Sequence, residues 1–251
     1  MNWRHSTCTL TLAAGLLAGC DFDFGSGPGG APTPSPTPTP TGTPFIVTVD
    51  FTTDATWSAG FSDFSPGMES QVQFANGLHP VPPNVGGNGF FLAGDNPADD
   101  VALYVWRKVE NLTPSTNYKI ETRVELATNS PSDCFGIGGA PGEAVAFKAG
   151  ASDLEPALLL NAEGLMTLNL DKANQSESGE DLKVIGHLAS PEAGTCEAPV
   201  YAKKALASGG EGPTVRSSAN GSLWLVLSTD SGYEGRTEVY LLNARIEITR
   251  Q

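Results

Sequence analysis

The feature that most limits the fold is the alternation of apolar and polar side chains across residues 117–127. A period of two predicts a β-strand with one face buried and one face in water, as in an antiparallel sheet. The apolar face holds Tyr118, Ile120, Thr122, Val124 and Leu126, and the other face holds Lys119, Glu121, Arg123 and Glu125. This strand therefore lies at the surface of a core and not inside a parallel sheet.

Further strand signals occupy residues 45–51, 100–109, 144–149, 165–171, 223–228 and 238–249. Clusters of Gly, Pro, Asn and Asp separate these segments, as they do in sandwiches and barrels. No convincing amphipathic helix longer than two turns interrupts them. The sequence therefore predicts an all-β fold, an antiparallel β-sandwich.

The strand signals begin only after a stretch of Pro, Thr, Gly and Ser that covers residues 25–44. Such a stretch has no apolar side chains with which to form a core, and its alternating prolines favour extended polyproline II. At ~3.1 Å per residue it would reach roughly 60 Å when fully extended. We expect a disordered tether over residues 20–44 and a single β-sandwich domain over residues 45–251.

The N-terminal residues have the three parts of an export signal. Arg4 is followed by an apolar run over residues 10–17, which is too short to span a bilayer as a helix. The run ends in Leu17-Ala18-Gly19-Cys20, which resembles the lipobox of bacterial lipoproteins. The resemblance implies removal of residues 1–19, lipidation of Cys20 and a lipid-anchored, extracytoplasmic place in the cell envelope. An ordinary secretory signal is the alternative interpretation.

The net charge of −14 limits the partners. Nucleic-acid phosphates must be neutralised by Lys and Arg, so we expect no nucleic-acid partner. Docking on anionic lipid by electrostatics is disfavoured for the same reason. The membrane contact that we expect is the N-terminal lipid.

Two cysteines, Cys134 and Cys196, follow the tether. An even pair in an exported domain favours a disulfide, and no zinc pattern surrounds either cysteine. We expect a structural Cys134–Cys196 bridge.

A family resemblance is carried by two segments. The first, Leu112-Thr113-Pro114-Ser115-Thr116-Asn117-Tyr118, resembles a turn that leads into a long strand in fibronectin type III domains and in carbohydrate-binding modules of the galactose-binding jelly-roll type. The second, residues 240–248, resembles the closing strand of the jelly-roll modules. The domain is also about twice as long as a fibronectin module. The resemblance therefore favours a galactose-binding-like jelly roll.

The closing strand of these modules usually carries an Asp that helps to bind a structural Ca²⁺. Asn243 stands at that position here, so the amide oxygen would supply less charge. Asp50, on the first predicted strand, is the candidate second ligand. The resemblance thus implies a structural Ca²⁺ site at Asp50 and Asn243, with Asn243 as a neutral ligand in place of the usual Asp.

Four loops are rich in oxygen ligands or glycine. Three of them combine Asp, Asn, Ser, Gln or Glu, a composition that suits Ca²⁺ but also suits ordinary turns. Residues 134–143 are rich in glycine and match no phosphate-binding motif, which favours a tight turn between strands over a ligand loop. The acidic loops contain Asp95, Asp99 and Asp100; Asp171, Asn174 and Gln175; and Asp230, Ser231 and Glu234.

Candidate ligand-binding residues are Tyr233, Trp57 and Arg236. Tyr233 and Trp57 lie in predicted loops, where an aromatic ring can stack on a sugar, and Arg236 offers a fork of donors. Trp106 and Trp224 lie within apolar strands, which favours a place in the core.

The functional hypothesis is a lipid-anchored binding module for carbohydrate or envelope glycan. A protein-interaction or structural lipoprotein is one alternative, and a polysaccharide hydrolase or lyase is another. No serine-nucleophile elbow and no zinc-protease helix occurs, so no catalytic residue is predicted.

Overall fold

The computed structural model describes residues 42–97 and 100–251. The expected signal peptide, Cys20 and most of the tether lie outside the described residues, as does Asp99. In the described part of the chain the helical structure is a single 3₁₀ turn, Glu69–Gln71. No helix there is long and apolar enough to cross a membrane. The all-β prediction is confirmed.

The strands of the described residues are numbered in chain order. They are β1 (Phe45–Asp50), β2 (Ser58–Ser62), β3 (Ala75–Pro80), β4 (Asn88–Asp95), β5 (Ala102–Val109), β6 (Asn117–Thr128), β7 (Val145–Ser152), β8 (Leu158–Leu160), β9 (Met166–Leu168), β10 (Leu182–His187), β11 (Gly194–Thr195), β12 (Ala198–Pro199), β13 (Ala202–Ala207), β14 (Thr214–Arg216), β15 (Leu223–Ser231) and β16 (Arg236–Arg250).

Two antiparallel sheets make up the sandwich. Sheet A has seven strands in the order β13-β6-β16-β4-β3, with β1 paired to the second half of β16 and β14 paired to the start of β6. Sheet B has five strands in the order β10-β7-β15-β5-β2. Two short hairpins, β8–β9 and β11–β12, lie outside these sheets.

The chain passes from one sheet to the other as it wraps around the core. Strands β4, β6 and β16 of sheet A are followed or preceded by β5, β7 and β15 of sheet B. The two sheets have corresponding strand orders: β16 lies between β4 and β6 in sheet A, and β15 lies between β5 and β7 in sheet B. The first and last strands pair with each other. This is the wrapping of a jelly roll, so the predicted fold class is confirmed.

Strands β6 and β16 form the centre of sheet A, and their side chains make one face of the sheet buried and the other exposed. Every predicted apolar position of β6 is buried, and Arg123 on the other face is exposed. In β16 the register shifts between Leu241 and Asn243. The bulge changes the parity of the strand, which lets Leu241 and Ala244 both face the core.

The core lies between the inner faces of the two sheets. It consists of alternate side chains of β1, β4, β6 and β16 packed on those of β5, β7 and β15. Its largest fully buried members include Phe51, Phe147, Ile120, Leu126, Leu223 and Leu225. Burial of this apolar surface is the main force that holds the two sheets together.

The turn before β6 has the structure that its sequence favours. Tyr118 is 5% exposed, and its hydroxyl accepts a hydrogen bond from the backbone N–H of Thr113 at 2.9 Å. The Tyr118 ring packs in the core, while its hydroxyl provides a hydrogen-bond acceptor for the N–H group of the turn. This bond fixes the entry of β6 into sheet A.

Candidate functional site

The outer face of sheet B carries aromatic side chains from the middle of β5 and from the start of β15. Trp106 and Trp224 are only partly buried, and Tyr104 lies beside Trp106 with the ring centroids 5.2 Å apart. Trp106 pairs with Val226 and Trp224 pairs with Lys108. The two tryptophans are therefore diagonal neighbours on one face. We call Tyr104, Trp106 and Trp224 the aromatic patch.

Edge strand β2 leaves room for these rings. Gly60 pairs with Tyr104, and a Cβ atom at position 60 would lie 2.9 Å from the Tyr104 ring and 3.3 Å from the Trp106 ring. A larger residue would displace both rings. Gly60 thus permits the aromatic side chains to lie against the edge strand.

Polar groups border the patch. The Lys108 ammonium lies 5.8 Å from the centroid of the Trp224 ring, a cation–π distance, and forms an ion pair with Glu110 at 2.8 Å. Ser58 is exposed and pairs with Trp106. The patch therefore combines two partly exposed indole rings and the buried Tyr104 ring with hydrogen-bond donors at its border.

The rest of this outer face is covered by the chain between β7 and β10. Leu168 and Leu170 of that segment pack on Tyr104 and Val226. The segment continues over Lys148 and Asp230, which are fully buried. The cover explains why β5 and β15 are apolar on both faces although only one face meets the main core.

The prediction that Trp106 and Trp224 belong to the core is confirmed in part for Trp106, which packs on the smaller apolar cluster of Tyr104, Val226 and the covering segment. It is wrong for Trp224. Both side chains point away from the main core, and both are only partly buried. Alternation along β5 and β15 does not separate the two faces, because the covering segment makes much of the outer face apolar as well.

The three predicted ligand residues do not form one exposed group. Trp57 is 4% exposed and lies in the core, with its ring centroid 5.2 Å from that of Phe51. The expectation of an exposed loop ring is therefore wrong for Trp57, because β2 begins at the next residue and turns the indole inward. Arg107 stacks over this buried ring at 5.5 Å.

Tyr233 and Arg236 lie in and after the turn between β15 and β16. Tyr233 is partly buried and packs against the core cluster, and its ring lies against Gly136 and Gly235. Arg236 forms ion pairs with Asp95 at 3.3 Å and with Glu238 at 2.8 Å. Their role in binding stays a prediction.

Asp50 and Asn243 are brought together, as the first and last strands pair at these residues. Asp50 Oδ1 accepts hydrogen bonds from the backbone N–H and the hydroxyl of Thr52, and the Asn243 amide donates to Glu125 at 2.9 Å. Among the described residues no group of three or more His, Cys, Asp or Glu side chains is placed to hold a metal ion. The Ca²⁺ site stays a prediction.

The acid-rich segments that were candidate cation loops converge on lysines. The Asp230 carboxylate accepts hydrogen bonds from Lys148 at 2.7 Å and from Lys172 at 2.8 Å, and Lys172 also reaches Asp63 at 3.2 Å. Asp230 and Lys148 are fully buried. We call Asp63, Lys148, Lys172 and Asp230 the ionic cluster. Its ammonium groups supply the positive charge that a bound cation would otherwise provide.

The protonation of the ionic cluster follows from burial and from the mutual charges. Burial disfavours the Lys172 ammonium, but Asp230 and Asp63 outweigh this effect and raise the pKa of Lys172. Burial raises the pKa of Asp63 against the attraction of Lys172. Asp63, Asp100 and Lys172 also border a cavity of about 260 Å³.

The predicted disulfide is confirmed. Cys134 and Cys196 are bonded, with their Cα atoms 5.6 Å apart. The bridge joins the glycine-rich loop after β6 to the β11–β12 hairpin. In that loop Phe135 is fully exposed (102%) and Ile137 is 71% exposed, while the Ile137 carbonyl accepts a hydrogen bond from the Glu234 N–H at 2.8 Å. Two apolar side chains thus protrude from a covalently braced loop.

Comparison with known proteins gives a distant likeness only. No protein-family profile and no curated protein sequence matches the chain. TmCBM27, a carbohydrate-binding module studied for specific mannan recognition, is 12% identical with a TM-score of 0.38, over 84% of this chain and 99% of that chain. CBM27-1 of Caldicellulosiruptor saccharolyticus, solved with mannohexaose, is 16% identical with a TM-score of 0.37, over 80% and 96%.

A third solved structure is CBM28, a module specific for non-crystalline cellulose. It is 10% identical with a TM-score of 0.31, over 78% of this chain and 91% of that chain. These scores are low for chains of one fold, so the jelly-roll assignment rests on the strand pairing described above.

Proposed function

We propose that the chain is a lipid-anchored, extracytoplasmic binding module that holds a neutral glycan chain against the aromatic patch. The observation that carries this proposal is the placement of Trp106 and Trp224 as diagonal, partly exposed neighbours on the outer face of sheet B. Indole rings bury a large apolar area and suit the C–H faces of sugar rings. Two such rings on one face provide contacts for successive sugars.

The border of the patch supports the same function. Ser58 and Lys108 are exposed donors next to the rings, where sugar hydroxyls need partners. Lys108 lies over Trp224, and as an exposed side chain it is free to move away when a sugar ring takes its place. The rings provide affinity, and the donors provide selectivity among hydroxyl patterns.

The envelope location is supported by the sequence alone. The lipobox resemblance at Cys20 and the Pro-rich tether describe a domain held away from a membrane. Replacing Cys20 by Ser should release the protein from membranes into the soluble fraction of fractionated cells. Membrane retention of Cys20→Ser at the wild-type level would exclude the lipid anchor.

The glycan proposal is tested on a glycan array with the purified Cys20→Ser chain, in Ca²⁺ and in chelator. We expect Trp224→Ala and Trp106→Ala to weaken the best neutral hit about tenfold, since stacking contributes up to ~1.5 kcal/mol beyond burial. Phe135→Ala removes an exposed ring elsewhere and is the matched control. A neutral hit unaffected by both tryptophan changes, or no neutral hit, contradicts the proposal. Loss of the hit in chelator would support a cation at Asp50 and Asn243.

A second candidate, recognition of another protein, is favoured by the protruding Phe135 and Ile137. Exposed apolar side chains on a braced loop are typical of interaction sites. A photo-crosslinking side chain placed at Phe135 in cells should give one adduct of defined mass. The same group at Glu163, an exposed turn residue, is the control, and equal adducts from both positions would contradict this candidate.

A further inference from the structure

The outer face of sheet A carries rows of like charge. Arg123 of β6 lies directly opposite Arg245 of β16, and Glu121 lies opposite Glu247 in the next row. Like charges directly opposite each other destabilise a sheet. Exchanging the two residues of either strand would have given attractive pairs, so this arrangement needs a physical explanation.

The acidic side chains on this face already have partners. Glu121 accepts hydrogen bonds from the Ser208 hydroxyl at 2.6 Å and from the Gly210 N–H at 3.0 Å. Glu247 accepts from the Arg245 Nε at 3.1 Å. These bonds orient both carboxylates toward groups other than Arg123.

Glu125 is also engaged elsewhere. It accepts a hydrogen bond from the Asn243 amide at 2.9 Å and lies 3.7 Å from the Lys203 ammonium. Within residues 42–97 and 100–251, none of the ion pairs involves Arg123. The exposed Arg123 guanidinium therefore has no carboxylate directed at it, whereas its neighbour Arg245 pairs with Glu247 through both Nε and Nη2.

Small residues keep the space around the arginine pair open. Ala207 of β13 lies opposite Arg123, and Ala205 lies opposite Glu125. Two adjoining depressions, of about 420 and 370 Å³, share Arg123, Arg245 and Ala207 in their walls. Together they form a trough along the sheet, where the guanidinium groups face Ala207 and where Glu121, Glu125 and Glu247 also contribute to the walls.

We propose that Arg123 and Arg245 bind an oxyanion group, a carboxylate or a sulfate ester, carried by an acidic polysaccharide chain. A guanidinium presents a planar fork of donors that matches such a group in bidentate geometry. The shared depressions extend along the sheet, which suits a chain better than a compact ion. The trough lies on the sheet opposite the aromatic patch, so this site is independent of neutral-glycan binding there.

The test titrates the purified Cys20→Ser chain with polygalacturonate, with dextran sulfate and with uncharged dextran by isothermal calorimetry. We expect one of the two acidic polymers to bind, with weaker binding at higher ionic strength, and we expect dextran not to bind. Arg123→Gln should weaken the binding about tenfold or more, since it removes charge-assisted hydrogen bonds. Arg245→Gln should act in the same direction.

Arg216→Gln is the matched control. Arg216 is exposed on β14 and pairs with Asn117, roughly 20 Å along β6 from Arg123. The Arg216→Gln substitution removes one positive charge from the same sheet, as Arg123→Gln does, and should leave the binding unchanged. Equal losses for Arg216→Gln and Arg123→Gln would show nonspecific attraction and overturn the site.

Two other results would also overturn it, namely wild-type affinity of Arg123→Gln and the absence of binding for both acidic polymers. Thermal unfolding of each variant establishes that the fold is retained, and Arg123→Lys, which keeps the charge but loses the fork, should bind with intermediate affinity. Neutral-glycan binding by Trp224→Ala reports on the other face, so failure of one proposal is distinguishable from failure of the other.

Discussion

Replacement of Asp230 by Asn is the perturbation whose cost the structure defines best. Asp230 and Lys148 have no exposed side-chain surface and Lys172 has 7%, and one carboxylate oxygen receives both ammonium groups within 2.8 Å. The cluster of two lysines and two aspartates is formally neutral. The Asp230→Asn change would leave one positive charge in excess inside the protein, and breaking a buried pair in this way costs about 3–5 kcal/mol.

The location of the excess charge can also be derived. Lys172 keeps Asp63 at 3.2 Å, whereas Lys148 keeps only main-chain carbonyl oxygens, those of Lys172 at 2.7 Å and Ala173 at 3.4 Å. The penalty therefore falls mainly on Lys148. Substituting both partners, Lys148→Met with Asp230→Leu, restores neutrality and should recover most of the lost stability, since buried pairs are often replaced by apolar residues without loss.

The assay is urea unfolding followed by tryptophan fluorescence at pH 7. Urea unfolding should give the loss of about 3–5 kcal/mol directly. In a separate thermal unfolding experiment the same loss should lower the Tm by about 10 °C, because ~1 kcal/mol moves the Tm of a domain of this size by 2–4 °C. The double variant should be more stable than Asp230→Asn alone. A loss below about 1 kcal/mol, the range of a surface substitution, would refute the account of the cluster as a structural ion pair network.

Three further changes test other parts of the structure. Replacing Cys134 and Cys196 by Ala should lower the calorimetric Tm and cost up to about 4 kcal/mol, because the bridge spans a separation of 62 residues; an unchanged Tm would contradict this. Tyr118→Phe should cost about 1 kcal/mol in urea unfolding, since the Thr113 N–H loses its acceptor. Hydrogen bonds from backbone N–H groups hold the pKa of Asp171 below its usual 3.8, so the ionised Asp171 stabilises the fold above that pH. The difference in the free energy of unfolding between wild type and Asp171→Asn should therefore shrink as the pH falls below 3.8. A difference that is constant with pH would refute the assignment.

The sequence alone predicted the buried face of a strand correctly where one face of that strand contacts water and the other contacts the core. The alternation in β6 predicted its buried face correctly at each position, from Tyr118 to Leu126. The jelly-roll resemblance singled out Asp50 on the first strand and Asn243 on the closing strand, and the structure places these two residues opposite each other. In these cases a local pattern and a global constraint agree.

The sequence did not predict strands whose residues have low β-propensity. Strand β13 reads Ala-Lys-Lys-Ala-Leu-Ala, and β3 contains Gly77 and Pro80, so neither has the β-branched and aromatic residues that mark a strand. Both are edge strands of sheet A. Their pairing is imposed by the neighbouring strand and by the chain connections, which a local window of sequence does not contain.

The ionic cluster shows a second limit. The composition of the segments around Asp100, Asp171 and Asp230 suited either a cation site or ordinary turns, and the structure brings these segments near one another. The positive charge, however, comes from Lys148 on β7 and from Lys172 in the covering segment. A count of acids in separate loops does not reveal a lysine that the tertiary fold brings to them.

The two outer faces of the sandwich differ in a way that bears on function. On sheet B the covering segment buries Tyr104 but leaves Trp106 and Trp224 partly exposed, so this face offers apolar rings. On sheet A no comparable segment of the described residues covers the rows of Arg123 and Arg245, so that face offers charge. A neutral chain gains from rings and gains little from paired guanidinium groups, while an acidic chain has the opposite preference in a protein of net charge −14. Ligand charge should therefore decide which face is used, and single substitutions at Trp224 and Arg123 should separate the two kinds of binding.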